Sequence, residues 1–244
     1  MGVVEGLFVI LVLVVIGIGA FAWFQRARSG PIGQRAETIW RSEHPQAAGG
    51  AAPRDPTVET LQPGDAVTFW DGEDAIVDCV LQCEEQLSAR RTQWRWNLLR
   101  GGGMLETAPD GNVLYTSSEV MLQGSAPFEQ LTGDPANGGV LKTFEARVRA
   151  GTVGSNPVYY EYQGKQLQVR STGTFGATPL GPPPSGEVWR DIAADPGQNV
   201  YFELDAPDGT QGLGIWTTHV LLLLGEPLKA SDIRALYPGQ SAPA

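Results

Sequence analysis

Residues suited to metal binding or nucleophilic catalysis are few, with two cysteines and two histidines in 244 residues. Cys79 and Cys83 lie four positions apart in a run typical of a β-strand, so they would share one face of that strand. This separation along an extended strand is too large for an easy disulfide. A metal site would need further ligands, and only His44 and His219 are available. We therefore expect a buried, reduced cysteine pair and no metal ion.

General acid–base or nucleophilic catalysis requires a base that is held beside its partner. His44 falls in a spacer rich in Gly, Ala and Pro, and His219 falls in an apolar run where a structural histidine is expected. The glycine clusters lack the lysine of a phosphate-binding loop and do not open helices. A glycosidase-like carboxylate pair is an open alternative, although nothing in the sequence selects two from Asp74, Asp78, Glu84, Glu85, Asp191, Asp195, Glu203 and Asp205. The sequence thus predicts a protein that is not an enzyme and needs no cofactor.

The charge balance restricts the class of partner. The chain has 17 basic and 27 acidic residues, and residues 59–244 alone hold 12 basic and 23 acidic ones, a net charge of −11. Such a surface repels phosphate backbones and anionic lipid headgroups. We therefore expect no nucleic-acid binding and a preference for basic protein partners.

The N-terminus predicts a membrane anchor over residues 1–25. Leu7 to Phe24 is a run of 18 uncharged residues, and a helix of that length spans about 27 Å, close to the thickness of the hydrocarbon core. The alternative is a cleaved signal peptide with a site at Ala20–Ala22, but no basic residue precedes the apolar run. The residues expected in the bilayer include Leu7, Val12, Val15, Gly17, Gly19, Trp23 and Phe24.

Basic residues after the apolar run set the expected orientation. Arg26 and Arg28 follow the helix directly, whereas only Glu5 and the terminal amine precede it. Basic flanks remain in the cytoplasm, so we predict a single-pass protein of the bacterial inner membrane with its N-terminus outside and its C-terminal domain in the cytoplasm.

The remaining chain predicts a mainly β protein of two similar antiparallel lobes. A flexible linker is expected over residues 26–60, a first lobe over 61–126, a connection over 127–139, a second lobe over 140–238 and a tail over 239–244. The first lobe would be a five-stranded meander, and a short helix over Lys229–Tyr237, capped by Ser231, would end the second. The strands expected in the second lobe are Val140–Arg149, Val158–Tyr162, Gln166–Ser171, Gly186–Ile192, Asn199–Leu204 and Gly214–Leu224.

Repeated short motifs suggest that the two lobes arose by duplication. The turn Ala108–Gly111 recurs as Ala206–Gly209, 98 residues later, with the same four residue types. An apolar–Glu pair precedes each turn, a Trp–Arg pair stands further upstream, and an aromatic–x–Gly turn opens each lobe. Because Asp-Gly suits any tight turn, shared turn chemistry alone is the alternative explanation.

An aromatic strand supplies the candidate contact surface. Tyr159, Tyr160 and Tyr162 place aromatic rings on both faces of one strand, so one face is either core or an exposed patch for a partner.

Several short motifs give the chain a family resemblance. The opening Leu61-x-Pro63-Gly64-Asp65, the strand Trp94-x-Trp96 with Leu98 and Leu99, and the pattern from Tyr162 to Val169 resemble the bacterial domain-of-unknown-function family 4178 over about residues 61–225. The resemblance implies a β-rich, often repeated unit with an accessory role at the cell envelope. It defines no catalytic residues.

Three functions are consistent with these features. The first is a non-catalytic, membrane-anchored accessory or scaffold protein whose acidic cytoplasmic β domain docks protein partners. The second is a structural subunit of a larger integral-membrane complex, and the third is an extracytoplasmic β domain that binds or hydrolyses a ligand or glycan.

Overall fold

The computed structural model describes residues 54–85, 93–133, 138–194 and 199–239. The predicted anchor and the topology-determining Arg26 and Arg28 lie outside these ranges. Within the described part of the chain, no helix has the length and apolar character that a membrane span requires. The protein is mainly β, as predicted. Its strands are β1 (Ala66–Phe69), β2 (Asp74–Glu85), β3 (Gln93–Leu99), β4 (Met104–Ala108), β5 (Gly111–Met121), β6 (Tyr159–Tyr162), β7 (Lys165–Pro179), β8 (Asn199–Asp205), β9 (Gln211–Trp216), β10 (Val220–Leu228) and β11 (Ile233–Tyr237).

Eight of these strands form a closed antiparallel barrel. The order around it is β2-β3-β4-β5-β10-β9-β8-β7, and pairing of the second half of β2 with the end of β7 closes the ring. The two predicted β-rich lobes supply β2 to β5 and β7 to β10, which are the two halves of this one barrel. Each half alone would leave two open edges, and joining them pairs β5 with β10 and β2 with β7.

The remaining strands and the helices cover the outside of the barrel. Strands β11 and β1 extend the first half of β2, and we call them, with the turn that joins β1 to β2, the flap. The flap encloses an apolar layer that includes Val67, Phe69 and Leu105. Helices α1 (Ala126–Thr132) and α2 (Val140–Arg149), with β6, cover a second outer layer that includes Phe202 and Leu222.

Two segments predicted as strands are helices. Val140–Arg149 forms α2, and the segment predicted as Gly186–Ile192 forms α3 (Glu187–Ala194). In α2 the buried residues are Leu141 and Phe144, three positions apart, which is the spacing of a helix face. The prediction of a strand is therefore wrong for both segments, because their apolar residues follow the period of a helix rather than the two-residue period of a strand.

The C-terminal part departs from the prediction at two further places. Gly214–Leu224 is not one strand, because a turn at Thr217–His219 separates β9 from β10. The predicted helix over Lys229–Tyr237 is a single 3-10 turn at Ala230–Asp232 followed by β11. Strand β11 forms instead because β1 offers it a free edge, and pairing with β1 satisfies backbone groups that a short isolated helix would leave exposed.

One buried carboxylate ties together the two ends of the described domain. Asp65 is 1% exposed, accepts hydrogen bonds from the backbone N–H groups of Gln62 and Gly239, and forms an ion pair with Arg54. Residues 54–60 of the predicted linker therefore include a contact with the folded domain.

Candidate functional site

The alternation of side chains along the barrel strands decides which residues face its interior. Trp96 on β3 lies opposite Glu106 on β4, which lies opposite Val113 on β5. Residues paired across antiparallel strands point to the same face. Since Trp96 and Val113 belong to the interior cluster, Glu106 also points inward. Glu203 on β8 is inward for the same reason, because its partner Leu213 belongs to that cluster.

Aromatic rings fill the middle of the barrel. The Phe175 ring lies 5.0 Å from Trp96, 5.7 Å from Trp94 and 6.0 Å from Tyr201, measured between ring centroids. Helix α3 caps one end of this cluster with Ile192 and with Trp189, whose ring lies 6.1 Å from that of Trp96. We call this end the cap end.

Three carboxylates project into the interior, and each accepts a hydrogen bond from an inward donor. The Tyr201 hydroxyl donates to Glu85 at 2.5 Å, and Trp96 Nε1 donates to Glu106 at 2.9 Å. The Ser171 hydroxyl donates to Glu203. Glu85 and Glu106 are 8% and 4% exposed, so both are held away from bulk water.

Glu106 and Glu203 line a cavity of about 200 Å³ at the end of the barrel opposite the cap, which we call the mouth. Strands β4 and β8 run in the same direction and lie four places apart in the ring of eight, so the two carboxylates reach the mouth from opposite walls. Polar side chains complete its lining: Asp110, Asn112, Tyr115, Arg170, Asp205 and Gln211. The charged residues of the lining are four carboxylates, Glu106, Asp110, Glu203 and Asp205, and one arginine, Arg170, which pairs with Asp205 at 3.1 Å, so the formal charge of the mouth is negative.

Two hairpin turns frame the mouth, and they are the repeated Ala-Pro-Asp-Gly segments of the sequence. Ala108–Gly111 joins β4 to β5, and Ala206–Gly209 joins β8 to β9. In the second turn, Asp208 accepts hydrogen bonds from the Thr210 backbone and side chain and from Lys165, which lower its pKa to about 2. This rim carboxylate is therefore charged at every physiological pH.

The arrangement suits binding of a positively charged group. Carboxylates on opposite walls of a small, partly enclosed cavity attract a cation more strongly than the same charges in open water. The amides of Asn112 and Gln211 offer further donors and acceptors. Among the described residues, no group of three or more His, Cys, Asp or Glu side chains has the geometry to hold a metal ion.

The structure places the sequence-predicted residues as follows. Of the candidate contact surface, Tyr160 and Tyr162 are buried in the outer layer beneath α1 and α2, and only Tyr159, 47% exposed, is accessible. Burial, and then the charge of Glu119, raise the pKa of Tyr160 to about 12. His219 lies in the β9–β10 turn rather than in a strand, with Nδ1 3.1 Å from the Thr218 hydroxyl.

The two cysteines share the inner face of β2, as their spacing predicts. Neither forms a disulfide, both are buried, and the Cys79 Sγ lies near the cap end, 3.5 Å from the Pro182 carbonyl oxygen. Burial, and then the charge of Asp78, raise the pKa of the Cys79 thiol to about 11. The thiol is therefore neutral and unreactive in the folded protein at neutral pH.

Sequence reasoning did not select Glu106 and Glu203 as a pair. Both stand in the repeated apolar–Glu motif ahead of an Asp-Gly turn, and Glu203 is also among the eight candidate carboxylates, whereas Glu106 is not. The available signal was their context: an acidic residue alternating with apolar residues on the inner face of a strand, close to a tight turn. The pairing itself depends on closure of the barrel, which brings β4 and β8 face to face.

A scan against protein-family models and searches of curated proteins and of solved structures found no match to this chain. The resemblance to family 4178 therefore stays a prediction.

Proposed function

We propose that this protein is a non-catalytic, membrane-anchored accessory or scaffold protein whose acidic β-barrel docks basic protein partners, with the barrel mouth receiving a cationic side chain. The observation that supports the proposal is the pair of inward carboxylates, Glu106 and Glu203, which line the mouth of a barrel whose interior also holds a large apolar cluster. The net charge of −11 over residues 59–244 favours the same class of partner.

The mouth can be tested with a tryptophan reporter, because Trp96 donates to Glu106. The full chain carrying 5-fluorotryptophan would be titrated with an acetylated tetralysine amide and followed by fluorine NMR. We expect the Trp96 resonance to move, and the affinity to fall as salt rises. Glu203→Gln should weaken binding roughly tenfold, since a charge-assisted contact in a partly enclosed site is lost.

The matched control is Glu161→Gln, which removes one charge from an exposed position on β6, outside the mouth. It should leave the affinity within about twofold of the wild type, because a single distant surface charge is largely screened. A tetramer of Nε-acetyl-lysine should not move the Trp96 resonance. Equal effects of the Glu161 and Glu203 variants would mean that tetralysine binds the general acidic surface and would contradict the proposal.

The anchor is tested separately. Deleting residues 1–25 should release the protein from the membrane fraction and abolish its associations there. Unchanged membrane recovery and unchanged associations would contradict the anchor. Protease added to intact spheroplasts should leave the C-terminal domain intact, and its removal would contradict the cytoplasmic orientation.

A second candidate is an extracytoplasmic β domain that binds or hydrolyses a ligand or a glycan. The specific observation in its favour is the same carboxylate-lined mouth, since two carboxylates are the groups that glycoside hydrolysis uses. Removal of the domain by external protease, together with hydrolysis of a glycan that is lost in both Glu106→Gln and Glu203→Gln, would favour this candidate over the first.

A further inference from the structure

A second cavity lies between the flap and the outer wall of the barrel, and we call it the flap pocket. Its volume is about 430 Å³, and Phe69, Leu114, Pro227 and Leu228 give it an apolar floor. Trp70 stands at its edge in the β1–β2 turn and is 63% exposed, which is unusual for so large an apolar side chain.

Three carboxylates surround this apolar floor: Asp71, Glu226 and Asp232. Asp71 and Asp232 accept backbone hydrogen bonds, from Glu73 and Lys229 respectively, so their positions are fixed. Within the described part of the chain, no ion pair compensates any of the three. An apolar floor with an acidic rim matches a side chain that has an aliphatic stem and a charged head.

The Trp70 ring already contacts one guanidinium group of the chain itself. The guanidinium carbon of Arg234, on β11, lies 5.8 Å from the centre of the ring, within the range of a cation–π interaction. Guanidinium groups stack on aromatic faces and pair with carboxylates, which an ammonium group does less well. The chemistry of the pocket therefore favours arginine over lysine.

We propose that the flap pocket binds an arginine side chain of a partner protein, with its stem on Phe69, Leu114 and Leu228 and its guanidinium between Trp70 and the acidic rim. This inference rests on the proposed function, since it assigns a second contact to the same basic partner. Pro227 lines both the mouth and the flap pocket. The two cavities therefore lie on either side of one short stretch of β10, within reach of one partner surface.

The test uses the full chain with 5-fluorotryptophan, and Trp70 is identified by the signal that Trp70→Phe removes. The probe is Nα-acetyl-arginine amide, and its matched neutral analogue is Nα-acetyl-citrulline amide. We expect the arginine probe to move the Trp70 resonance and the citrulline probe to move it at least fivefold less at equal concentration. Glu226→Gln, which has no hydrogen-bond partner to lose in the described structure, should weaken binding roughly threefold.

Glu161→Gln is again the control and should leave the affinity unchanged. Equal shifts from the arginine and citrulline probes, or no effect of Glu226→Gln, would overturn the inference. In the same spectra Trp96 reports the mouth independently. A response of the Trp96 resonance without one of Trp70 would overturn the arginine site in the flap pocket but not the cation site in the mouth. A response of the Trp70 resonance without one of Trp96 would support the arginine site and count against the cation site in the mouth.

Discussion

The two ends of the barrel interior are built from opposite chemistry. At the cap end, helix α3 places Ile192 and Trp189 against an aromatic cluster. At the mouth, the same strands carry carboxylates into a polar cavity. On β3 and β4 the interior changes from apolar to polar within one cross-strand pair. Trp96 belongs to the aromatic cluster, and Glu106, its partner on β4, lines the mouth.

This difference separates residues that hold the fold from residues available for binding. Apolar burial at the cap end supplies stability, since it removes large rings from water. Inward carboxylates at the mouth accept hydrogen bonds from Trp96 and Ser171 but bury no large apolar surface, so we assign them to binding rather than to stability. The predictions that follow test whether stability and binding divide between the two ends in this way.

The largest expected effect is at the cluster. Phe175→Ala removes a fully buried ring that contacts Trp94, Trp96 and Tyr201, and should lower the free energy of unfolding by about 3–5 kcal/mol. Urea unfolding followed by circular dichroism measures this loss. Leu122→Ala, at a position that is 66% exposed, is the control and should change stability by less than about 0.5 kcal/mol. A loss below 1 kcal/mol at Phe175 would mean that the cluster is not the main source of stability.

The next effect is expected between the two ends, where Gly173 makes room for the Glu85–Tyr201 contact. A Cβ atom there would lie 2.6 Å from Glu85 Oε1 and 2.7 Å from a Tyr201 ring carbon. Gly173→Ala should therefore destabilise the protein by about 1–3 kcal/mol through overpacking. Gly154→Ala, whose added Cβ would meet nothing within 4 Å, is the matched control. Equal urea midpoints for the two variants would show that the Glu85–Tyr201 contact adjusts freely.

The sequence predicts the cap end better than the mouth. The alternation of Trp94, Trp96 and Leu98 places all three on one face, and the structure buries that face inside the barrel. Cys79 and Cys83 share a face of β2 for the same reason. These are local regularities with a period of two, which a single strand displays without its neighbours.

Other features depend on contacts between distant segments, so the sequence does not display them. The mouth requires β4 and β8 to face each other, and their separation along the chain is about a hundred residues. Two halves of a barrel also look like two lobes until the seams β5–β10 and β2–β7 are known. The repeated Trp–Arg pair is an example: Trp94-Arg95 lies in strand β3, whereas its sequence counterpart Trp189-Arg190 lies in helix α3.

Only some of the repeated motifs join equivalent strands in the two halves of the chain. The turns at Asp71-Gly72 and Gln163-Gly164 occupy equivalent places, since they join β1 to β2 and β6 to β7. The two Ala-Pro-Asp-Gly turns do not, because one joins the third and fourth barrel strands of its half and the other joins the second and third. Turn chemistry therefore recurs here at the mouth of the barrel rather than at equivalent positions of a repeat.

A smaller effect is expected from alkaline pH at the cap end. Burial raises the pKa of the Cys79 thiol from 9.0 to about 11, so the folded protein retains a proton that the unfolded chain loses. The stability that this raised pKa contributes is fully present below pH 9. It is lost as the pH rises toward 11, which lowers the free energy of unfolding by about 1–2 kcal/mol. Tyr160 adds a similar loss only above pH 10, since its pKa is raised to about 12. Urea midpoints between pH 8 and 10.5 should fall less steeply in Cys79→Ala, and identical slopes would contradict this assignment.

The smallest effect is expected at the mouth, and its sign is the opposite of those at the cap end. Glu203→Gln keeps an oxygen that accepts the Ser171 hydrogen bond but removes one of the charges that share the cavity with Glu106. We therefore expect it to raise the free energy of unfolding by up to about 0.5 kcal/mol at low salt. The gain should disappear in 1 M NaCl, because screening already weakens the repulsion between carboxylates. Glu161→Gln, an exposed charge away from the cavity, should show no comparable gain. A loss of more than 1 kcal/mol in Glu203→Gln would make this carboxylate part of the fold, as Phe175 is, and would remove the distinction between the two ends.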